Sequence, residues 1–177
     1  MNRKHQAAFT LVELLAVIAI IAVLAALTVG AAKYAATKSA SSRAKAEIVV
    51  MENALEQYKQ DKGYYPLSTE YRDNATTNSI LLYTALTAGS RQYFEFKKNQ
   101  VRDGGNNITV TITCPTSTYT LTVTNVAIID PFGHPYNYFQ NCGGGGRINQ
   151  ATFDLWSYGP NGTNDDGVTD DITNWQQ

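Results

Sequence analysis

Hydrophobic and polar positions along the chain change their period twice, and the changes mark out its elements. From Phe9 to about Ala32 the residues are apolar almost without break, with Glu13 the one carboxylate in the run. Phe9–Val29 has about the 20 residues that a helix needs to cross a bilayer core. From Ala31 to Lys62 the chain turns to Ala, Lys, Glu, Gln and Arg, good helix formers, with no proline. Ile48, Met51, Leu55 and Tyr58 recur there at helical spacing, opposite Lys45, Glu52, Glu56 and Lys59. The pattern predicts one continuous helix from about Phe9 to Lys62, roughly 80 Å long at 1.5 Å per residue. Its first half faces lipid or the core of an assembly, and its second half lies on a head domain. Gly63 and Pro66 end it, as a C-terminal Gly and a following Pro should.

Beyond Pro66 the signals shorten. Ser68–Asn78 is polar and reads as a loop, Ser79–Ala88 as a short second helix stopped by Gly89, and Tyr93–Phe96 as a short extended piece. Asp103–Asn107 carries a turn signal. The period then falls to two: Ile108–Thr113 and Tyr119–Thr124 alternate β-branched or aromatic residues with Thr, and Pro115–Thr118 separates them. That predicts an antiparallel hairpin. Tyr136–Phe139 and Phe153–Tyr158 are further strand candidates, divided by the Gly-rich run Cys142–Gly146. The fold class is α+β, a long N-terminal helix packed on a small antiparallel sheet.

Composition narrows the function. A chain of 177 residues suits one globular domain plus an appendage. Its net charge of −1 supplies no global basic field, so no nucleic-acid partner is expected. The abundance of Thr, Asn and Gly in the second half suits an exported domain. Arg3, Lys4 and His5 precede the apolar run, which places the short N-terminal side in the cytoplasm and sends the rest outward. No convincing A-x-A site precedes a change to mature-like sequence, as an ordinary secretory signal would require. Cys114 and Cys142 lack metal or redox spacing. They read either as one disulfide, if the domain is exported, or as two thiols. No nucleophile elbow or phosphate-cradling loop occurs, and His134 has no obvious catalytic partner, so no enzyme activity is expected. Asp130-Pro131-Phe132-Gly133 reads as a tight turn in which Asp130 bonds nearby amides. The loop from Tyr158 to Asp171 concentrates Asn161, Asp165, Asp166, Asp170 and Asp171 among glycines; its spacing is not an EF-hand. It is either a solvated acidic turn or a site for a hard cation. Glu13, for its part, either reaches the headgroups or has a function inside the membrane.

Two sets of residues resemble a known family. Phe9-Thr10-Leu11-Val12-Glu13-Leu14-Leu15, after a short basic leader and before an unbroken apolar helix, resembles the prepilin signature of type IV pilins and type II secretion pseudopilins. Asp130-Pro131-Phe132-Gly133, Phe153–Gly162 and Asp171-Ile172-Thr173-Asn174-Trp175 resemble the C-terminal half of the major pseudopilin of type II secretion. The resemblance implies a leader at residues 1–8, a transmembrane or filament-core helix at 9–32 and a periplasmic head at 33–177. It implies cleavage by a prepilin peptidase between Ala8 and Phe9, with Ala8 where the family usually has Gly, and N-methylation of Phe9. Glu13 would then compensate the buried α-amino group of a neighbouring subunit's Phe9, because a buried charge needs a partner. Calcium would be held by the Tyr158 carbonyl, Asn161 (where the family usually has Asp), Thr163 through its carbonyl, Asp170 and Asp171. The implied partners are identical and related pilin-like subunits in a filament, the prepilin peptidase, and an inner-membrane assembly platform with its ATPase. The implied function is a structural one, in the pseudopilus that supports export across the outer membrane. A surface type IV pilus subunit for adhesion, motility or DNA uptake is the nearest alternative. A membrane-anchored binding or enzyme domain, or a plain membrane tether, is the alternative of another class.

Overall fold

The computed structural model describes residues 10–69, 74–89, 91–114, 117–140 and 148–175. Among these residues two α-helices, a 3-10 turn at Lys98–Gln100 and five strands occur, as α1 (Leu11–Lys62), α2 (Ala75–Thr87), β1 (Val101–Cys114), β2 (Ser117–Ile128), β3 (Asn137–Phe139), β4 (Asp154–Ser157) and β5 (Ile172–Thr173). The chain separates into two compact units, the first ending at Ser39 and the second beginning at Ala40.

In the first unit α1 is exposed along its whole described length. Large apolar side chains such as Leu14, Ile18, Ile21 and Leu24 each keep more than half their surface. Here the chain alone buries none of the apolar run.

From Ala40 the same helix behaves differently. Ala44, Ile48, Met51, Ala54 and Leu55 are buried, following the predicted stripe, and α1 stops at Lys62. Gly63 takes φ +83° and its N–H bonds the Lys59 carbonyl at 2.7 Å. A residue with a Cβ would be strained in that left-handed cap. The stripe packs with Leu82 and Leu86 of α2 and with Ile128, Tyr136, Tyr138, Phe153 and Leu155. Tyr136, Tyr138, Phe153 and Leu155 belong to or flank the antiparallel sheet β3-β4-β5, and Ile128 ends β2.

The β1-β2 hairpin forms a separate two-stranded sheet. Its buried face, Val110, Ile112, Val123 and Ala127, packs on Ile80 and Leu81 of α2. Among the described residues the head therefore has two small sheets; the long helix packs mainly with β3-β4-β5 and meets the hairpin at Ile128, the end of β2. The opposite hairpin face pairs Thr109 with Thr122, Thr111 with Thr120 and Thr113 with Thr118, all six exposed.

Three local expectations change. Helix α2 begins at Ala75, not at Ser79, because buried Asn78 is fixed by tertiary bonds. Its Oδ1 accepts from the Thr69 N–H at 2.9 Å and from the Thr69 hydroxyl at 2.8 Å. Such partners outweigh the poor helix propensity of Thr76, Thr77 and Asn78. Asp103–Asn107 is not a chain reversal; it lies inside β1 as an irregularity in register between Asp103 and Asn107. Asp103 Oδ1 accepts the Gly105 N–H at 2.8 Å, and Gly105 has φ +79°. The turn chemistry was legible but was absorbed as a bulge-like feature. The two-residue β5 has no periodicity to reveal it.

Candidate functional site

The start of α1 is the first place where chemistry concentrates. The opening N–H groups of a helix have no helical acceptors. Thr10 Oγ1 accepts the Glu13 N–H at 3.2 Å, and Glu13 Oε2 accepts the Thr10 N–H at 2.9 Å and its hydroxyl at 2.8 Å. This is a reciprocal capping box, with a carboxylate in the first turn where the helix dipole favours it. Ala8 and Phe9 lie outside the described residues.

The second place is the C-terminal acidic loop and the turn that supports it. Asp130 is buried; its Oδ1 accepts the N–H groups of Phe132 and His134, each at 2.9 Å, and its Oδ2 accepts the Ser157 hydroxyl at 2.5 Å. Ser157 Oγ in turn accepts the Gly159 N–H at 3.0 Å. One carboxylate thus ties the turn to the exit of β4 into the loop. The His134 Nδ1 is 3.9 Å from Asp130 Oδ2, too far for a hydrogen bond. Gly162 sits so close to the ring that a Cβ there would come within 2.6 Å of Nε2. His134 packs against the loop; it is not poised as a base.

Inside the loop the carboxylates organise the backbone. Asp170 Oδ2 accepts the Asn161 N–H at 2.9 Å, and Asp171 Oδ2 accepts the N–H groups of Asp165 at 3.0 Å and Gly167 at 2.9 Å. The second oxygens, Asp170 Oδ1 and Asp171 Oδ1, are buried and have no hydrogen-bond partner. Burial raises the pKa of the Asp171 carboxyl. The Gly167 and Asp165 amides offset part of that rise, and the charges of Asp165 and Asp170 add to it. The backbone is strained nearby: Asp166 and Thr169 take φ +53° and +58°. For a β-branched residue such as Thr169 that conformation is a true outlier.

Aromatic side chains anchor the loop. Trp156 is fully buried, and its indole N–H donates to Asn164 Oδ1 at 3.1 Å. Trp175 packs edge-on to Trp156 with ring centroids 5.5 Å apart. A Cβ on Gly167 would meet the Trp175 ring at 2.8 Å. Among the described residues no three His, Cys, Asp or Glu side chains converge as a metal-binding group. What the loop offers is a pair of carboxylates with orphaned oxygens, plus carbonyls, and that donor set fits a hard cation such as Ca²⁺.

The comparisons with known proteins bear on both places. Residues 3–29 match the family model described as the prokaryotic N-terminal methylation motif. Type II secretion system core protein G of Aeromonas hydrophila is 31% identical over 175 residues, covering 99% of this chain and 96% of that protein. The chain belongs to this family. Proteins of the same name from Escherichia coli and Pseudomonas aeruginosa are 30% and 28% identical, over 96% and 99% of this chain and 91% and 99% of their own lengths. No solved structure matches the chain. Its α+β arrangement of a long N-terminal helix and small antiparallel sheets is thus that of a core protein G relative, a pseudopilin.

Set against this family, the residues singled out from sequence fall into three groups. Asp170 and Asp171 are brought together in the loop. Asn161 is also there, but its side chain is engaged: Oδ1 accepts the Thr163 N–H at 2.6 Å, and Nδ2 donates to Asp165 Oδ2 at 2.8 Å. The Tyr158 hydroxyl accepts from Asn137 Nδ2 at 3.1 Å, which fixes that side chain away from loop chemistry and leaves only its carbonyl. Cys114 is disulfide-bonded, and Cys142, its expected partner, lies outside the described residues. Thr10 and Trp175 stand in the two family-like motifs without a role assigned to them, and Asn164 is in neither. The T-x-x-E spacing of Thr10 and Glu13 signals the capping role; the packing of Trp175 and the bond to Asn164 are tertiary contacts with no local signal.

Proposed function

We propose that this chain is a structural subunit of the type II secretion pseudopilus. It is anchored by one N-terminal membrane helix, with that terminus cytoplasmic and the head periplasmic, and it passes from the inner membrane into a filament of identical and related subunits. A prepilin peptidase cleaves between Ala8 and Phe9 and methylates the new terminus. An inner-membrane platform and its ATPase drive assembly. The observation that carries this reading is the exposed apolar surface of Leu11–Val29, interrupted by a single carboxylate already bonded at the helix start. Such a surface requires lipid, or equivalent helices of other subunits, to cover it. Similar helices packed side by side would place the Glu13 carboxylate near the α-amino group of a neighbour's Phe9, and pairing would relieve both buried charges.

Calcium fits the head as a stabilising ion. Asp170 and Asp171 would hold it through their orphaned oxygens, with Asn161 and the carbonyls of Tyr158 and Thr163 as further donors. The ion supplies positive charge to a strained acidic loop.

The test is assembly. Glu13→Ala, expressed with the secretion machinery, should leave a folded head in the membrane and remove the chain from sheared filaments. Filaments containing the variant at wild-type levels would contradict the proposed role of Glu13 in assembly.

A further inference from the structure

Asn161-Gly162, in the acidic loop, is the chain's one Asn-Gly pair. Glycine has no side chain to hinder approach to its backbone nitrogen, so that nitrogen can attack the side-chain carbonyl carbon of a preceding asparagine. The pair also has a structural reason. Gly162 takes φ +69°, and a Cβ there would come within 2.6 Å of His134 Nε2, so the fold requires glycine after Asn161. Whether attack can follow depends on how the reacting groups are held. Asn161 is exposed, and water reaches it. Its Oδ1 accepts the Thr163 N–H at 2.6 Å, and the ring closed by that bond contains both Asn161 Cγ and the Gly162 nitrogen. The bond polarises the amide and stabilises charge that develops on Oδ1 during attack, as an oxyanion-hole donor does. The nucleophile is free: among the described residues the Gly162 N–H makes no hydrogen bond. Asp166-Gly167, in the same loop, is the opposite case. Gly167 is buried, its N–H donates to Asp171 Oδ2 at 2.9 Å, and the Trp175 ring stands where a Cβ would be.

We infer that Asn161 is a modification site, converted spontaneously to aspartate through a cyclic imide with Gly162. The Gly162 nitrogen gives its proton to solvent and bonds to Asn161 Cγ. The Cγ–Nδ2 bond then breaks, and Nδ2 leaves as ammonia with a proton taken from water. A second water opens the imide at either of its carbonyls, leaving an ordinary aspartate or a β-linked isoaspartate at this position. The net change is one water consumed and one ammonia released, with no oxidant or cofactor. The product carries one more negative charge. It lies where Asn161 Nδ2 had donated to Asp165 Oδ2 at 2.8 Å, so a hydrogen bond becomes a contact between like charges. The loop thereby gains a further demand for a cation. The conversion itself does not depend on whether calcium binds.

The inference is tested on the full chain purified in detergent, with calcium chelated so that a bound ion cannot hold the side chain. The protein is incubated in neutral and in mildly alkaline buffer made with heavy-oxygen water, and a urea-unfolded portion serves as the reference. Peptide mapping by mass spectrometry then follows each asparagine. The Asn161 peptide should give way to aspartate and isoaspartate forms carrying one heavy oxygen, faster at the higher pH. The peptides of Asn137 and Asn174 should stay unchanged, and Asp166 should not isomerise. Conversion in the folded chain should be within about tenfold of the rate in urea. A folded chain that keeps Asn161 throughout, or loses it more than about tenfold more slowly than the unfolded one, would overturn the inference. Aspartate without isoaspartate would mean direct hydrolysis and overturn the imide route. Asn161→Gln, whose longer side chain must close a larger ring, should remove the product. A variant that still gains the mass would place the change elsewhere and also overturn the assignment.

Discussion

The two stretches of α1 on either side of Ser39 are one helix with opposite relations to the rest of the chain. From Leu11 to Ser39 the apolar residues are all exposed; from Ala44 a narrow stripe of five is buried in the head's core. The difference lies in pattern, since both stretches contain good helix formers. A helix that is apolar all round needs an apolar environment on every side, and this chain has none to give. One with a single stripe is satisfied by a single partner surface. The first stretch is therefore committed to something outside the chain, while the second is committed to the head.

That contrast can be broken most sharply by truncation. Leu55→Ala, at a residue with 0% exposure, should destabilise the head by about 2–5 kcal/mol in denaturant unfolding. Leu24→Ala, at 57% exposure, should change it by less than about 0.5 kcal/mol. Equal effects would show that the stretches are not independent in the way described. Reversing the logic, Ile18→Lys should cost about 2.5–3.5 kcal/mol of membrane insertion and shift the protein out of the membrane fraction. The unfolding midpoint of the head should not move.

Calcium sharpens the picture of the head. At a free concentration about 100 times its dissociation constant, the ion should stabilise the head by about 2.7 kcal/mol. Chelation should lower the melting temperature, and Asp171→Asn should abolish the response to calcium. A variant that still responds fully would move the ion away from this loop.

The smallest effect is electrostatic. Glu52 has a raised pKa, mainly because burial disfavours its charged form, with an Asn174 hydrogen bond opposing and Glu56 adding. A carboxyl whose folded pKa exceeds the unfolded one contributes stability below the unfolded value of 4.5, and that contribution is lost as pH rises through the folded value. Glu52→Gln should therefore raise the melting temperature slightly at neutral pH and leave it unchanged in acid. A drop at neutral pH would assign Glu52 a stabilising bond instead.

Much of this was legible in the sequence, and the legible parts share a cause. The stripe Ile48, Met51, Leu55, the helix stop at Gly63, the β1-β2 hairpin and the strands around Tyr138 and Trp156 are written in local periodicity and turn chemistry. Features set by distant contacts were not. The early start of α2 depends on Asn78 meeting Thr69, and the division into two sheets depends on α2 standing against the hairpin. In the acidic loop the composition was visible, but the bonds from Asp171 Oδ2 to two amides and the anchoring of Asn164 by Trp156 were not. At the helix start the T-x-x-E spacing of Thr10 and Glu13 is itself a local signal of the capping box.

The central claim is that the chain is a processed pseudopilin, and its N-terminus tests this most directly. Intact-mass and terminal-peptide mass spectrometry of protein recovered from membranes should find a chain beginning at Phe9 with one added methyl group. A chain that keeps Met1–Ala8, in cells that process other prepilins, would contradict the account and leave a membrane tether with a folded head.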